Sequence, residues 1–175
     1  MSHLCLTGSH LIKGQNYTEN EQVNSLITDP EYHSVILYPG QQSTNLSTLS
    51  ESDRSDYCLK NKKLRIFVID GTWATARRMV RQSENIKNLP RICFSPKTPS
   101  NFRVRKQPDT NCYSTIEAIH HTIDLLSPTN GFPEGVRPHD HLIEIFNSMV
   151  ERQLTFLSEV DLKLRACSYR RHRAS

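Results

Sequence analysis

The chain predicts a single α/β domain, a mostly parallel sheet covered by helices. Short aliphatic runs of strand length alternate along it with helical apolar patterns, the order in which parallel strands and their crossovers follow one another. At 175 residues it has the size of one ordinary domain and enough chain to bury a core. Neither an internal repeat nor a shift of composition marks a second domain.

The elements follow in order. Glu21 to Leu26 reads as a short helix ending near Asp29-Pro30. Val35-Ile36-Leu37-Tyr38 is the first buried strand, stopped by the turn signal Pro39-Gly40. Gln41 to Asp56 is polar and serine-rich, a loop or a weak helix, and Leu64 to Ile69 is the second strand. Trp73, Ala76 and Val80 then recur at helical spacing, and the pattern continues to about Glu84. Arg91-Ile92-Cys93-Phe94 is a third strand, closed by Ser95-Pro96, after which 96–110 reads as a long loop with basic and aromatic residues interleaved. Ser114 with Glu117 three residues later forms a capping box, in which each side chain satisfies a free backbone N–H at a helix start. Ile116, Ile119, Ile123 and Leu126 line one face of that helix, and Ser127-Pro128 ends it. A Gly/Pro-rich link over 129–138 leads to a last helix with the apolar stripe Leu142, Ile145, Met149, Phe156 and Leu157.

Composition narrows the function classes. No apolar run approaches the length that spans a bilayer, and the start lacks a basic segment followed by a hydrophobic one. The five cysteines are scattered, odd in number and without a Cys-x-x-Cys pair, so reduced thiols in a cytoplasm are expected. No membrane and no obligate protein partner is indicated. The net charge of +4 is modest but clustered: Arg77, Arg78 and Arg81 lie in one helix, Arg103, Arg105 and Lys106 in a loop, and Arg165, Arg170, Arg171 and Arg173 in the tail. Clustered positive charge suits a phosphate-rich partner, since neutralising phosphates releases counterions. A solvated basic face is the other reading.

Asp70-Gly71-Thr72-Trp73 is the candidate site. Its carboxylate, hydroxyl and single tryptophan of the chain stand between a strand and a helix, where open α/β sheets place ligands. The chain has no Gly-x-x-x-x-Gly-Lys, Gly-x-Gly-x-x-Gly or Gly-x-Ser-x-Gly, which counts against an NTPase, a dinucleotide dehydrogenase and an α/β-hydrolase. His120-His121 and His139-x-His141 suggest metal only weakly. Adjacent histidines diverge on a helix and no acidic or cysteine partner stands at ligand spacing, so surface or capping roles are expected and no metal site.

Asp70-x-Thr72-Trp73 resembles the signature of the DTW-domain proteins, the tRNA-uridine aminocarboxypropyltransferases. Three companions stand in the family's order: Leu37-Tyr38-Pro39-Gly40 upstream, then Ser100-x-Phe102-x-Val104-Arg105-x-Gln107-Pro108, with phenylalanine where tyrosine is frequent, and Ser114-Thr115-x-Glu117-Ala118. The resemblance runs from about Leu4 to Leu157, within a DTW domain over 1–160 followed by a basic tail over 161–175. Many relatives carry a cysteine-rich segment, read as a small zinc site, ahead of the region where this chain starts. Cys5 alone cannot make that site.

The resemblance implies a knotted, SPOUT-like architecture, S-adenosylmethionine as cofactor and tRNA as partner. It implies transfer of the 3-amino-3-carboxypropyl group to N3 of a uridine, with methylthioadenosine released. A SPOUT-type RNA methyltransferase, and a non-catalytic RNA-binding or decayed truncated copy, are the alternatives. Uridine N3 is a poor nucleophile while protonated, so a carboxylate at the strand end suits the general-base role, and Asp70 is its candidate; an N-cap is its plain role. Leu37, Tyr38, Pro39 and Gly40 are expected to shape the cofactor cleft through their backbone, or else to form an ordinary turn. Thr72 reads equally as a cap, and Trp73 packs the core or lines the adenosine or uracil pocket. Ser114 and Thr115 open a helix whose free N–H groups suit the cofactor carboxylate. Glu117 is first a capping-box residue and second a contact for the cofactor amine. Arg77, Arg78, Arg81, Arg103, Arg105 and Lys106 are the candidates for RNA, and Arg105 suits the cofactor carboxylate as well.

Overall fold

A computed structural model describes residues 2–59, 61–104, 112–126 and 136–157. The strands are β1 (Tyr32–Leu37), β2 (Thr44–Asn45), β3 (Lys63–Val68) and β4 (Arg91–Cys93). They form one sheet in the order β2-β4-β1-β3, and every pairing is parallel. The helices are α1 (Ser2–Cys5), α2 (Glu21–Thr28), α3 (Glu51–Leu59), α4 (Trp73–Gln82), α5 (Glu84–Lys87), α6 (Thr115–Leu126) and α7 (Asp140–Leu154). The expected α/β class and parallel sheet are both present.

The alternation of side chains along β1 builds two cores, one on each face. Ile36 points into a cluster with Val23 of α2, Met79 and Val80 of α4 and Ile86 of α5, joined by Tyr17. Val35 points the other way, to Leu46, Ile92 and Leu126, so α6 covers the second face. The helix α7 then packs on α6. Phe146, buried on α7, receives the ring of Phe102 at a centroid distance of 5.4 Å.

Several boundaries differ from the sequence expectation, for physical reasons. The first strand starts three residues early, because its polar half finds partners. Ser34 Oγ donates to the Leu26 carbonyl, and Tyr32 lies under the Arg65 guanidinium at 3.6 Å while Arg65 pairs with Asp29. The loop expected over 41–56 contains β2 and the start of α3. Ser50 caps that helix, accepting from the Asp53 N–H and donating to its carboxylate. The helix expected to reach Glu84 breaks at Ser83, which is fully buried and whose hydroxyl accepts from the Tyr17 N–H. On α6 the buried positions are Glu117, Thr122 and Leu126, with the isoleucines only half-buried. On α7 the buried stripe is Leu142, Phe146 and Val150, a clean i, i+4, i+8 row. Ile145 and Phe156 are exposed, and Phe156 and Leu157 lie past the helix end.

No helix among the described residues is long and apolar enough to cross a membrane. The basic tail and the link over 129–135 lie outside the described residues.

Candidate active site

The parallel pairing of β1 with β3 sets Leu37 beside Val68, so both strands deliver their carboxyl ends to one edge of the sheet. Tyr38-Pro39-Gly40 leaves β1 there, and Ile69-Asp70 leaves β3. Pro39, Gly40 and Asp70 are exposed, so the two family motifs form one accessible rim.

Asp70 is free of the capping role. The N-cap of α4 is Thr72, whose Oγ1 accepts from the Thr75 N–H at 3.1 Å and lies 2.8 Å from Thr75 Oγ1. Asp70 turns elsewhere: its Oδ1 accepts from Thr115 Oγ1 at 2.7 Å. That bond joins the Asp-x-Thr-Trp motif to the Ser-Thr-x-Glu-Ala motif across 45 residues of chain. Thr72→Ala is expected to cost about 1 kcal/mol through loss of the cap, a fall of roughly 3 °C in Tm by thermal denaturation.

Trp73 opens α4 on its outer side, 36% exposed, while Ala76, Met79 and Val80 take the core face. The stripe expected from Trp73 through Ala76 and Val80 therefore splits. A first-turn tryptophan lies one turn before the buried row and its ring remains at the rim. Arg77, Arg78 and Arg81 are exposed on the same helix, with Arg77 and Arg81 at four-residue steps from Trp73.

The capping box at α6 is formed and extended. Ser114 Oγ accepts from the Glu117 N–H at 3.3 Å, and Glu117 Oε2 accepts from the Ser114 N–H at 2.8 Å. Glu117 also takes the Ser100 hydroxyl and the Asn101 N–H, both at 2.7 Å, and is only 7% exposed. Both carboxylate oxygens thus hold the Ser100-Asn101 loop against the start of α6. This geometry favours the capping role over a contact with an amine.

Arg103 pairs with Glu151 of α7. Arg105 and Lys106, and the Gln107-Pro108 end of their motif, lie outside the described residues.

Sequence reasoning passed over Arg91 and gave His121 only a surface or capping role, whereas the ring is half-buried. Arg91 begins β4, and its guanidinium lies 5.7 Å from the Tyr38 ring centroid and close against Gly40, where a Cβ would come within 3.0 Å of Nη1. Only the insertion of β4 beside β1 brings them together, so no local pattern reveals it. His121 lies against Phe94 at 4.7 Å and Tyr113 at 5.9 Å between ring centroids. Burial lowers its pKa, and its Nε2 has no partner among the described residues.

The donor set suits S-adenosylmethionine. An exposed carboxylate can face a sulfonium or amine, a guanidinium at the Tyr38-Gly40 turn can face a carboxylate, and Trp73 and Tyr38 offer aromatic faces.

The family model described as the DTW domain matches residues 1–154. The chain belongs to the DTW-domain family. It is 24% identical over 123 residues to the protein named tRNA-uridine aminocarboxypropyltransferase 2 of Mus musculus, covering 69% of this chain and 39% of that one. It is 26% identical over 147 residues to tRNA-uridine aminocarboxypropyltransferase A of Arabidopsis thaliana, covering 73% of this chain and 53% of that one. The matched regions thus span about two fifths to one half of these relatives. No solved structure matches the chain. In this DTW domain two of the four motifs that carry the resemblance are joined directly by the Asp70–Thr115 bond.

Proposed function

We propose that this DTW domain transfers the 3-amino-3-carboxypropyl group of S-adenosylmethionine to N3 of a uridine in tRNA, in the cytoplasm. The observation that carries the reading is the Asp70 carboxylate, released from capping by Thr72 and oriented by Thr115 at the exposed strand ends. The names of the relatives support the same substrate class. The reading includes the knotted, SPOUT-like architecture, with which a parallel sheet covered on both faces is compatible.

In this mechanism the cofactor, when bound, supplies an electrophilic carbon next to a sulfonium. The chain's residues do the rest. Asp70 Oδ2 faces the uracil edge and accepts the N3 proton, while Oδ1 stays on Thr115. Trp73 stacks on a base, its ring being exposed at the rim. The backbone of Leu37 to Gly40 and the start of α6 at Ser114 and Thr115 hold the cofactor, with Arg91 available to its carboxylate. Selecting the longer arm over the less hindered methyl is a matter of positioning, which a rigid strand-end rim supplies.

Arg77, Arg78 and Arg81 meet tRNA phosphates. Replacing all three with glutamine is expected to weaken tRNA binding uniformly across sequences and to lower the slope of log K against log salt by about 2–3. Filter binding at several salt concentrations reads it, and an unchanged slope would remove α4 from the interface.

The deciding experiment incubates the purified chain with S-adenosylmethionine and unmodified tRNA and examines nucleosides by mass spectrometry. The expected product is aminocarboxypropyl-uridine. Methylated nucleosides instead would mark a methyltransferase, and tRNA binding without cofactor binding or transfer would mark a binding module.

A further inference from the structure

We infer that His120, Asp124, His139 and Asp140 form a binding site for one divalent transition-metal ion that pins α6 to α7. Sequence reasoning found no acidic partner for these histidines, and the structure corrects that. Asp124 stands one helical turn after His120 on α6, and the start of α7 brings His139 and Asp140 onto the same spot. One ligand atom from each of the four lies within 4.8 Å of the others. His139 Nε2 is 2.8 Å from Asp124 Oδ1 and 4.0 Å from Asp140 Oδ1, and His120 Nε2 is 2.8 Å from Asp140 Oδ1. A tetrahedral ion with bonds of about 2.1 Å sets its ligands about 3.4 Å apart, so the hydrogen-bonded pairs open by about 0.6 Å and the His139–Asp140 pair closes by a similar amount when the ion enters.

The chemistry of the set selects the ion. Two imidazoles and two carboxylates suit zinc, cobalt or nickel, whereas magnesium and calcium prefer oxygen alone. His139 is buried and His120 nearly so, which holds two of the four ligands in fixed rotamers.

The place already attracts a cation. Arg137 reaches Asp124 at 2.8 Å and Asp140 at 2.9 Å. Its side chain is 49% exposed and can swing into water, so the ion takes the position that the guanidinium holds. Metal and Arg137 therefore compete for the same two carboxylates. Because α6 begins at Thr115, which bonds Asp70, a metal that fixes α6 against α7 also steadies the candidate active site.

The test uses the full chain, stripped with a chelator and titrated with zinc or cobalt alone by calorimetry, visible spectroscopy and thermal denaturation. The expected result is one equivalent bound, a tetrahedral cobalt spectrum lacking a thiolate charge-transfer band, and a Tm that rises with metal concentration. His139→Ala and Asp124→Asn should lose the binding. Arg137→Gln, an exposed change that leaves the fold intact, should tighten it by about three- to tenfold because the competitor is gone. Absence of binding, a thiolate band, binding retained in both ligand variants, or unchanged affinity in Arg137→Gln would each overturn the site.

Discussion

Asp70→Asn is expected to lower the rate of transfer to uridine by about 10²–10⁴-fold, with tRNA affinity and Tm nearly unchanged. The asparagine is close to isosteric and its carbonyl oxygen can still accept from Thr115 Oγ1, so the link between the β3 end and α6 persists. What disappears is the negative charge and with it the capacity to accept the N3 proton. The stability side of the prediction follows from Thr72, which carries the α4 cap alone and leaves Asp70 dispensable for the helix. Asp70 is also exposed, so replacing it buries no unpaired group. Single-turnover kinetics with excess enzyme separates the chemical step from binding, and denaturation of the same preparation checks the fold. A variant that loses Tm and tRNA affinity in step with activity would return Asp70 to a structural role. Thr115→Val serves as the companion: it keeps the carboxylate and removes its orienting donor, so a smaller drop in rate is expected, again with little change in affinity.

How far such a site could be read in the chain depends on which contacts are local. The β1 and β3 apolar runs, the turn at Pro39-Gly40 and the capping box at Ser114 and Glu117 are all short-range signals, and each led to the correct element. The DTW tetrapeptide marks a strand end for the same reason. Residues brought together by crossovers left no local trace. Arg91 meets Gly40 only because β4 inserts beside β1, and the same insertion makes room for β2 at the sheet edge. Asp140 reaches His120 only through the packing of α7 on α6. Hydrophobic periodicity also failed where polar groups are buried. Glu117 and Thr122 occupy inward positions of α6 that an apolar stripe would assign to isoleucine, and Thr122 manages this by donating its hydroxyl back to the Ala118 carbonyl.

Glu117→Ala is the substitution expected to cost the most stability at the site, about 3–5 kcal/mol. Three donors converge on this one buried carboxylate: the Ser100 hydroxyl and the backbone N–H groups of Asn101 and Ser114. Truncation leaves all three facing a space too enclosed for easy hydration, so the loss exceeds that of an ordinary helix cap. For a domain of this size the fall in Tm is about 10 °C. Glu117→Gln should cost less but not little, since its amide NH₂ must turn toward groups that themselves donate. Ser114→Ala provides the scale, because it removes one cap bond and is expected to cost only about 1 kcal/mol. Should Glu117→Ala prove no more damaging than Ser114→Ala, the carboxylate would be a cap and nothing more. The larger effect would instead establish it as the pin between the Ser100-Asn101 loop and the start of α6, the helix whose first residue orients Asp70. Activity should then fall along with Tm in Glu117→Ala, whereas Asp70→Asn loses activity alone; the two variants separate holding the site together from performing its chemistry.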